Sequence, residues 1–407
     1  MTVIHTTTQR VDPVAPGAQT PAQRPAPLRV LTVMSCSRQE KSGMPIANTS
    51  ISGAMRAQGY TVDQLYLDDY PPLVQKPYLR YPLFGLATVA RVRALEKERG
   101  GYDVVQISGG DGYLAPLLRR DRCGRRRLVV ARCHGLEHRY WQAFQREVAA
   151  GHVRTTLRHR LYFGGLRLRQ TELSICGADL LNCHTAADAA YALERGWKRA
   201  DEVLVLPGGI EPAWFGAAPE SAARPRRILF CGSWTWMKGT RVLVQVFERL
   251  AALQPDVRLT VLGAGADQQT VLQAFAPAVQ SRICVMPPLS HAAVLREFQQ
   301  HDLLLATSLF EGFGTAALEA MAAGLPVVAA AVGAAPDYVD SGRSGYLVEA
   351  GDVDGFVSTC TALIESSAVD RRVMTGAAMS AVATLTWPAI ARATADGYAT
   401  ALARVAE

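Results

Sequence analysis

The chain has 407 residues, 49% of them hydrophobic, which is enough for two domains of ordinary size with separate cores. No apolar run reaches the ~18 residues that a membrane-spanning helix requires, which excludes a helical integral membrane protein. The net charge of +7 is unevenly placed: residues 1–205 carry 29 Lys and Arg against 18 Asp and Glu, the rest 14 against 18, so the first half is expected to face an anionic partner.

Met1 to Pro27 is rich in Thr, Pro, Gln and Ala and lacks the apolar stretch and cleavage site of a secretory signal. Residues 1–27 are therefore expected to form a disordered tail, and the default location is the cytoplasm. From Leu28 short β-rich runs alternate with helical stretches. Leu28–Ser35 reads as a strand, followed by a polar loop from Cys36 to Met44 that contains Ser42-Gly43. A helix to Gln58 then stops at Gly59. Tyr60–Leu67, Asp103–Ser108 and Arg127–Cys133 read as further strands, and such alternation predicts a parallel sheet covered on both faces.

A composition break with four prolines at Leu206–Arg227 divides the chain, after which the alternation restarts. Arg227–Cys231, Val257–Leu262, Ile283–Met286, Leu303–Thr307 and Pro326–Val332 read as strands. The predicted organisation is an α/β domain at 28–206, a linker at 207–226, a second α/β domain at 227–385 and a terminal segment at 386–407. Ligands bind beyond the carboxyl ends of parallel strands, so two such sheets facing each other place the chemistry in an interdomain cleft. The eight cysteines form no Cys-x-x-Cys pair and are read as buried, reduced thiols.

The most informative stretch runs from Ser308 to Pro326. A buried strand enters the turn Glu311-Gly312-Phe313-Gly314, and a helix starts near Thr315 and stops at Gly324. Gly312 and Gly314 let the backbone approach a ligand. The first amides of the helix, from Thr315 to Ala317, point out where the helix dipole favours an anion. With Glu311 before that tip and Glu319 after it, a diphosphate carrying hydroxyls on both sides fits, and a nucleotide sugar has that layout.

The Glu311…Glu319 spacing, within Glu-Gly-Phe-Gly…Leu-Glu-Ala-Met-Ala…Gly-Leu-Pro-Val-Val, resembles the signature of family 4 retaining glycosyltransferases. Pro207-Gly208-Gly209-Ile210-Glu211, Gly232 with Lys238-Gly239, and Leu262-Gly263-Ala264-Gly265 resemble other motifs of that family in order and spacing. So does the run from Val332 to Asp352. The resemblance implies the GT-B fold: two Rossmann-like domains facing across a cleft, with a C-terminal helix crossing back from Thr386-Trp387-Pro388. It implies that Glu311 contacts the donor sugar, Glu319 holds the ribose and Lys238 neutralises the diphosphate. Gly232, Ser233, Gly263, Gly312, Phe313, Gly314, Thr315 and Ala316 would line the donor site. It further implies retention of configuration with no metal and no cofactor beyond the nucleotide-sugar substrate. The family usually has Arg where this chain has Ser233, so one expected cation is missing, to be supplied by Arg241 or from across the cleft. Trp234 and Trp236 are read as packing or loop anchors rather than ligand platforms.

In the first half, Arg132-Cys133-His134-Gly135 follows a strand and resembles the family's histidine beside the donor sugar, which assigns that role to His134. Gly43, Asp111, Glu137 and His138 are candidates for the acceptor side. Arginines cluster at 119–127 and again at 154, 158, 160, 167 and 169. In the second cluster Val153, Leu157 and Leu161 make an apolar stripe of helical spacing, so peripheral association with an anionic membrane is a hypothesis beside a plain solvated face. Asp352-Val353-Asp354 is read as a helix cap rather than a metal site, Asp68-Asp69 as a turn, and no nucleic-acid motif is present. The functional expectation is glycosyl transfer to an unidentified acceptor. A sugar-nucleotide epimerase and a catalytically weak nucleotide-sugar-binding partner protein are the alternatives.

Overall fold

The computed structural model describes residues 27–39, 43–215 and 225–406. Residues 1–26 of the expected tail, and Ser42 of the first loop, lie outside them. Two six-stranded, wholly parallel sheets organise the chain. The N-terminal sheet contains β1 (Arg29–Val33), β2 (Thr61–Leu65), β3 (Val104–Ser108), β4 (Leu128–Arg132), β5 (Leu180–Cys183) and β6 (Val203–Val205), in the order 2-1-3-4-5-6. The C-terminal sheet contains β7 (Arg227–Cys231), β8 (Arg258–Leu262), β9 (Ile283–Val285), β10 (Leu303–Ala306), β11 (Val327–Ala330) and β12 (Tyr346–Val348), in the order 12-11-10-7-8-9.

Every residue of β3, β4, β5 and β11 is buried. Such strands are covered by helices on both faces, which is why they read as continuous apolar runs rather than alternating ones. The short β5 and β6 escape a pattern reading, because four and three residues between helices carry too little periodicity. In each sheet the order reverses at one point, between β1 and β3 in the first and between β7 and β10 in the second. Loops leaving those neighbours diverge and open a crevice at the strand ends.

The chain crosses between domains twice, and the crossings hold one another. Ile210 N–H donates to Leu385 O at 2.7 Å and Trp387 N–H to Ile210 O at 3.3 Å. The last helix, Trp387–Ala406, then lies in the N-terminal core, where Ile390, Ala391, Ala395, Tyr398 and Ala401 pack with Val30, Ile51, Met55, Val130 and Leu180. Asn182 donates to the Tyr398 hydroxyl at 3.1 Å, and that hydroxyl donates to Gln106.

Three expectations need correction. Val153 precedes the helix that begins at Leu157, capped by Thr156, so only Leu157 and Leu161 of the predicted stripe are helical. Among the cysteines, Cys123, Cys176 and Cys284 are exposed rather than buried, because each lies in a turn, on a helix flank or on the edge strand β9. Most of the arginines at 119–127 are not free cations, Arg120 and Arg122 being the exposed ones without an acid among the described residues. Arg126 and Arg119 pair with Asp179 at 2.7 and 3.1 Å, Arg125 with Asp103 and Asp121, and Arg127 with Glu96. Two smaller expectations agree with the structure: Asp352 caps the helix Val353–Glu365 by accepting from Gly355 N–H at 2.9 Å, and Asp68-Asp69 lie in the turn Leu67–Asp69.

Candidate active site

The crevice between β7 and β10 holds the C-terminal candidates, and backbone contacts lock its two loops together. Thr307 Oγ donates to the carbonyls of Lys238 and Gly239, each at 3.2 Å, and Leu309 N–H donates to Met237 O at 2.7 Å. Gly239 has φ 65°, and a Cβ there would collide with the Thr307 carbonyl, so the loop closes this tightly only with glycine. This clamp delivers Lys238 to Glu311: Nζ and Oε1 are 2.5 Å apart, and Ser308 Oγ donates to the same oxygen at 2.7 Å. Glu311 in turn sits on Gly333, whose Cβ would overlap its own.

Beyond this pair the helix Thr315–Ala322 begins with no side chain capping its amides, and Thr315 at its tip is exposed. The tip is therefore open to a small anion, with three amides directed outward. Tyr338 Oη fixes the turn by donating to Gly314 O at 3.1 Å. Gly232, whose amide donates to Leu262 O, and Gly263 end the neighbouring strands β7 and β8. Burial pushes the Glu319 carboxyl up to about 8, against the pull of Lys238. In the folded state this group keeps a proton that the unfolded chain, with a value near 4.5, has lost. Its contribution to stability therefore falls as pH rises through that window. Glu319→Gln is expected to remove this slope: measured as Tm between about pH 5 and pH 8, the advantage of the variant grows with pH. A pH-independent difference would refute the assignment.

The N-terminal wall is built from strand ends. His134 follows β4, and its Nε2 lies 3.3 Å from Ser108 Oγ at the end of β3. Burial, with the Arg132 guanidinium adding to it, lowers its pKa to about 3, so the ring is neutral at physiological pH. The two domains touch here through backbone: a Cβ on Gly312 would collide with the His134 carbonyl, and one on Gly135 with Gly312 Cα. The Glu-Gly-Phe-Gly turn thus abuts His134 across the cleft, bringing together candidates 177 positions apart in sequence.

Several candidates take other places. Phe313 is buried, its ring 5.4 Å from that of His184 and tight against Gly208 of the interdomain segment, so it seals the cleft floor. Asp111 and Glu137 are both engaged by the buried Arg167, at 2.6 and 3.1 Å, and Glu137 also accepts from Gly110 N–H. Burial alone would lower the Arg167 pKa, but the two carboxylates outweigh it and hold the guanidinium charged. These acids shape the loop after β3 rather than presenting free carboxylates. His138 packs on Trp197 and Tyr191 within the N-terminal domain, with ring centroids at 4.8 and 6.0 Å. Gly43 starts the helix Gly43–Ala57. Ser233 is exposed, with its hydroxyl 3.4 Å from that of Thr235, and Arg241 reaches Gln245 on its own helix instead of replacing the missing cation. Trp234 packs on Phe230 and Phe275, while Trp236 meets Tyr140 and Phe144 of the other domain, so both tryptophans are anchors.

Sequence reasoning passed over Arg132 and His184. Arg132 is buried without a carboxylate, and its Nη2 lies 3.2 Å from His184 Nε2. The His184 ring is 5.5 Å from that of His134. The available signal was position: His184 follows β5 as His134 follows β4. Among the described residues no group of three or more His, Cys, Asp or Glu side chains could hold a metal.

Comparison with known proteins agrees with the fold. Residues 225–366 match the family of glycosyl transferases group 1, so the chain carries a domain of that group. It is 32% identical over 240 residues to D-inositol 3-phosphate glycosyltransferase of Mycolicibacterium gilvum, covering 56% of this chain and 53% of that protein. With glycogen synthase of Mycobacterium tuberculosis the figures are 29% over 199 residues and 48% of each. The chain thus spans about half the length of the curated relatives it matches. Among solved structures, sucrose-phosphate synthase from Thermosynechococcus elongatus superposes with a TM-score of 0.72 at 19% identity, covering 92% of this chain and 100% of that one. Anabaena HepE in complex with UDP and glucose gives 0.63 at 18%, covering 91% and 98%. The fold is GT-B.

Proposed function

We propose that the chain is a retaining glycosyltransferase that moves a sugar from a nucleoside-diphosphate sugar to an acceptor hydroxyl, without a metal or organic cofactor. The observation that carries this reading is the open helix tip at Thr315 beside the Lys238–Glu311 pair, with Glu319 one turn into the helix. The diphosphate lies across the tip with Lys238 beside it, Glu319 accepts from the ribose hydroxyls, and the sugar projects toward Glu311 and the neutral His134. As the bond between the anomeric carbon and the diphosphate oxygen breaks, positive charge builds on the sugar ring and negative charge on the leaving group. Lys238 and the helix amides are aimed at that negative charge. The acceptor oxygen bonds to the anomeric carbon on the face being vacated, and its proton passes to the departing phosphate oxygen. Relatives named as glycosyltransferases and a structural neighbour that binds UDP and glucose support the reading.

A thermal-shift panel of UDP-, GDP- and ADP-sugars tests the donor. One nucleotide is expected to raise Tm, since a ligand at 100 times its Kd stabilises by about 2.7 kcal/mol, and Glu319→Ala is expected to abolish most of that rise. Absence of any shift across the panel would defeat the donor-site assignment. Incubation with the stabilising donor alone separates transfer from epimerisation, because an epimerase converts it without an acceptor.

A further inference from the structure

The N-terminal domain carries an apolar surface that neither core nor cleft uses. The helical segment from Leu157 through the π-helical turn Arg160–Arg167 exposes Leu157 at 72% and Leu161 at 67%, with Leu166 beside them. Wider π turns displace side chains from the ordinary helical register and often mark functional sites. Here they leave Phe163 and Gly164 packed inward on Trp141 while the leucines face out.

The start of the helix Pro77–Arg99 extends the same face. Tyr162 Oη donates to Tyr78 O at 2.5 Å, and the Arg158 guanidinium lies 3.5 Å over the Tyr78 ring, which is 59% exposed, with Leu79 beside it at 37%. The surrounding charge has one sign. No Asp or Glu occurs in residues 70–95 or 148–171. Lys76, Arg154, Arg158 and Arg160 are exposed and form no ion pair among the described residues. Of the arginines at 119–127, by contrast, Arg119, Arg125, Arg126 and Arg127 are paired with acids.

We propose that this face, Leu157, Leu161 and Leu166 with Tyr78 and the unpaired Lys76, Arg154, Arg158 and Arg160, docks the protein on an anionic lipid bilayer. Leucines and tyrosines enter the interfacial layer while the cations meet lipid phosphates, each basic residue adding to the attraction. A protein partner would bring its own acidic and polar side chains to defined positions. A basic rim around exposed apolar side chains matches a fluid anionic surface better. The patch also leads to the candidate acceptor loop: Tyr162 stacks on Tyr81, and Arg167, which holds Asp111, lies over Tyr81. Docking would therefore bring that loop close to lipid-borne acceptors. The inference does not depend on the donor-site reading, since vesicle binding needs no nucleotide.

Co-sedimentation of the full chain tests it, with vesicles rich in phosphatidylglycerol against vesicles of phosphatidylcholine alone. The protein is expected to pellet with the first and not the second, and to release as salt is raised. Leu157→Glu/Leu161→Glu and Arg154→Glu/Arg158→Glu are each expected to weaken binding by roughly tenfold or more. Leu253→Glu/Val373→Glu, on exposed positions of the other domain, leaves it unchanged. Circular dichroism confirms that each variant is folded. Equal, negligible binding to both vesicle types overturns the proposal, as does anionic binding that the leucine variant leaves intact. Concentration-dependent self-association that the leucine variant abolishes, without vesicle binding, would instead assign the face to a second copy of the chain.

Discussion

Replacing Lys238 by alanine is expected to lower kcat by about 10²–10³ while changing the donor KM much less, the size of effect seen when one group aimed at developing charge is removed. The ammonium is held in place before any ligand arrives: the Thr307 hydroxyl and the Gly239 turn fix the loop, and Glu311 fixes Nζ at 2.5 Å. Such a group costs no reorganisation when the leaving diphosphate gains charge. Ser233 stands where a second cation is expected and Arg241 points elsewhere, so on the proposed reading Lys238 shares this role with the helix amides. Single-turnover kinetics with the donor identified by thermal shift measure the effect. A donor KM that rises tenfold or more (roughly 1.4 kcal/mol) with kcat intact would make Lys238 a binding group only.

Gly312→Ala is expected to reduce turnover by about 10²-fold or more while nucleotide still raises Tm. Its Cβ has no room: the obstacle is the backbone of His134 and Gly135, which cannot rotate aside. The C-terminal domain has its own core, built around Leu229, Leu304, Val327 and their neighbours, so the strain is relieved by parting the domains rather than by unfolding. Displacing His134 from Glu311 by about 1 Å or more degrades alignment at the reacting carbon and spares the diphosphate contacts. Small-angle scattering together with turnover measures both consequences. A variant of wild-type activity would show that the backbone contact at Gly312 is not part of the working enzyme.

Much of the architecture could be read directly from the residues. The alternation of buried runs with helices, the glycine stops and the proline-rich break at 206–227 dictate two parallel α/β domains, because strands covered on both faces must be apolar throughout. The helix tip after Glu311-Gly312-Phe313-Gly314 was equally legible, since glycine placement and helix starts are local effects. The sequence alone determined the fold class and marked Glu311, Lys238 and Glu319 as candidates, the first two of which the fold pairs. Tertiary structure decided which charges are free. Asp111 and Glu137 resemble available acids until the fold brings Arg167 between them, 56 and 30 positions away. The arginines near 120 resemble a cationic face until Asp179 and Glu96 arrive from other elements, whereas those near 158 meet no acid. Pairing depends on distances between segments remote in sequence, and Coulomb energy and desolvation act through those distances rather than along the chain.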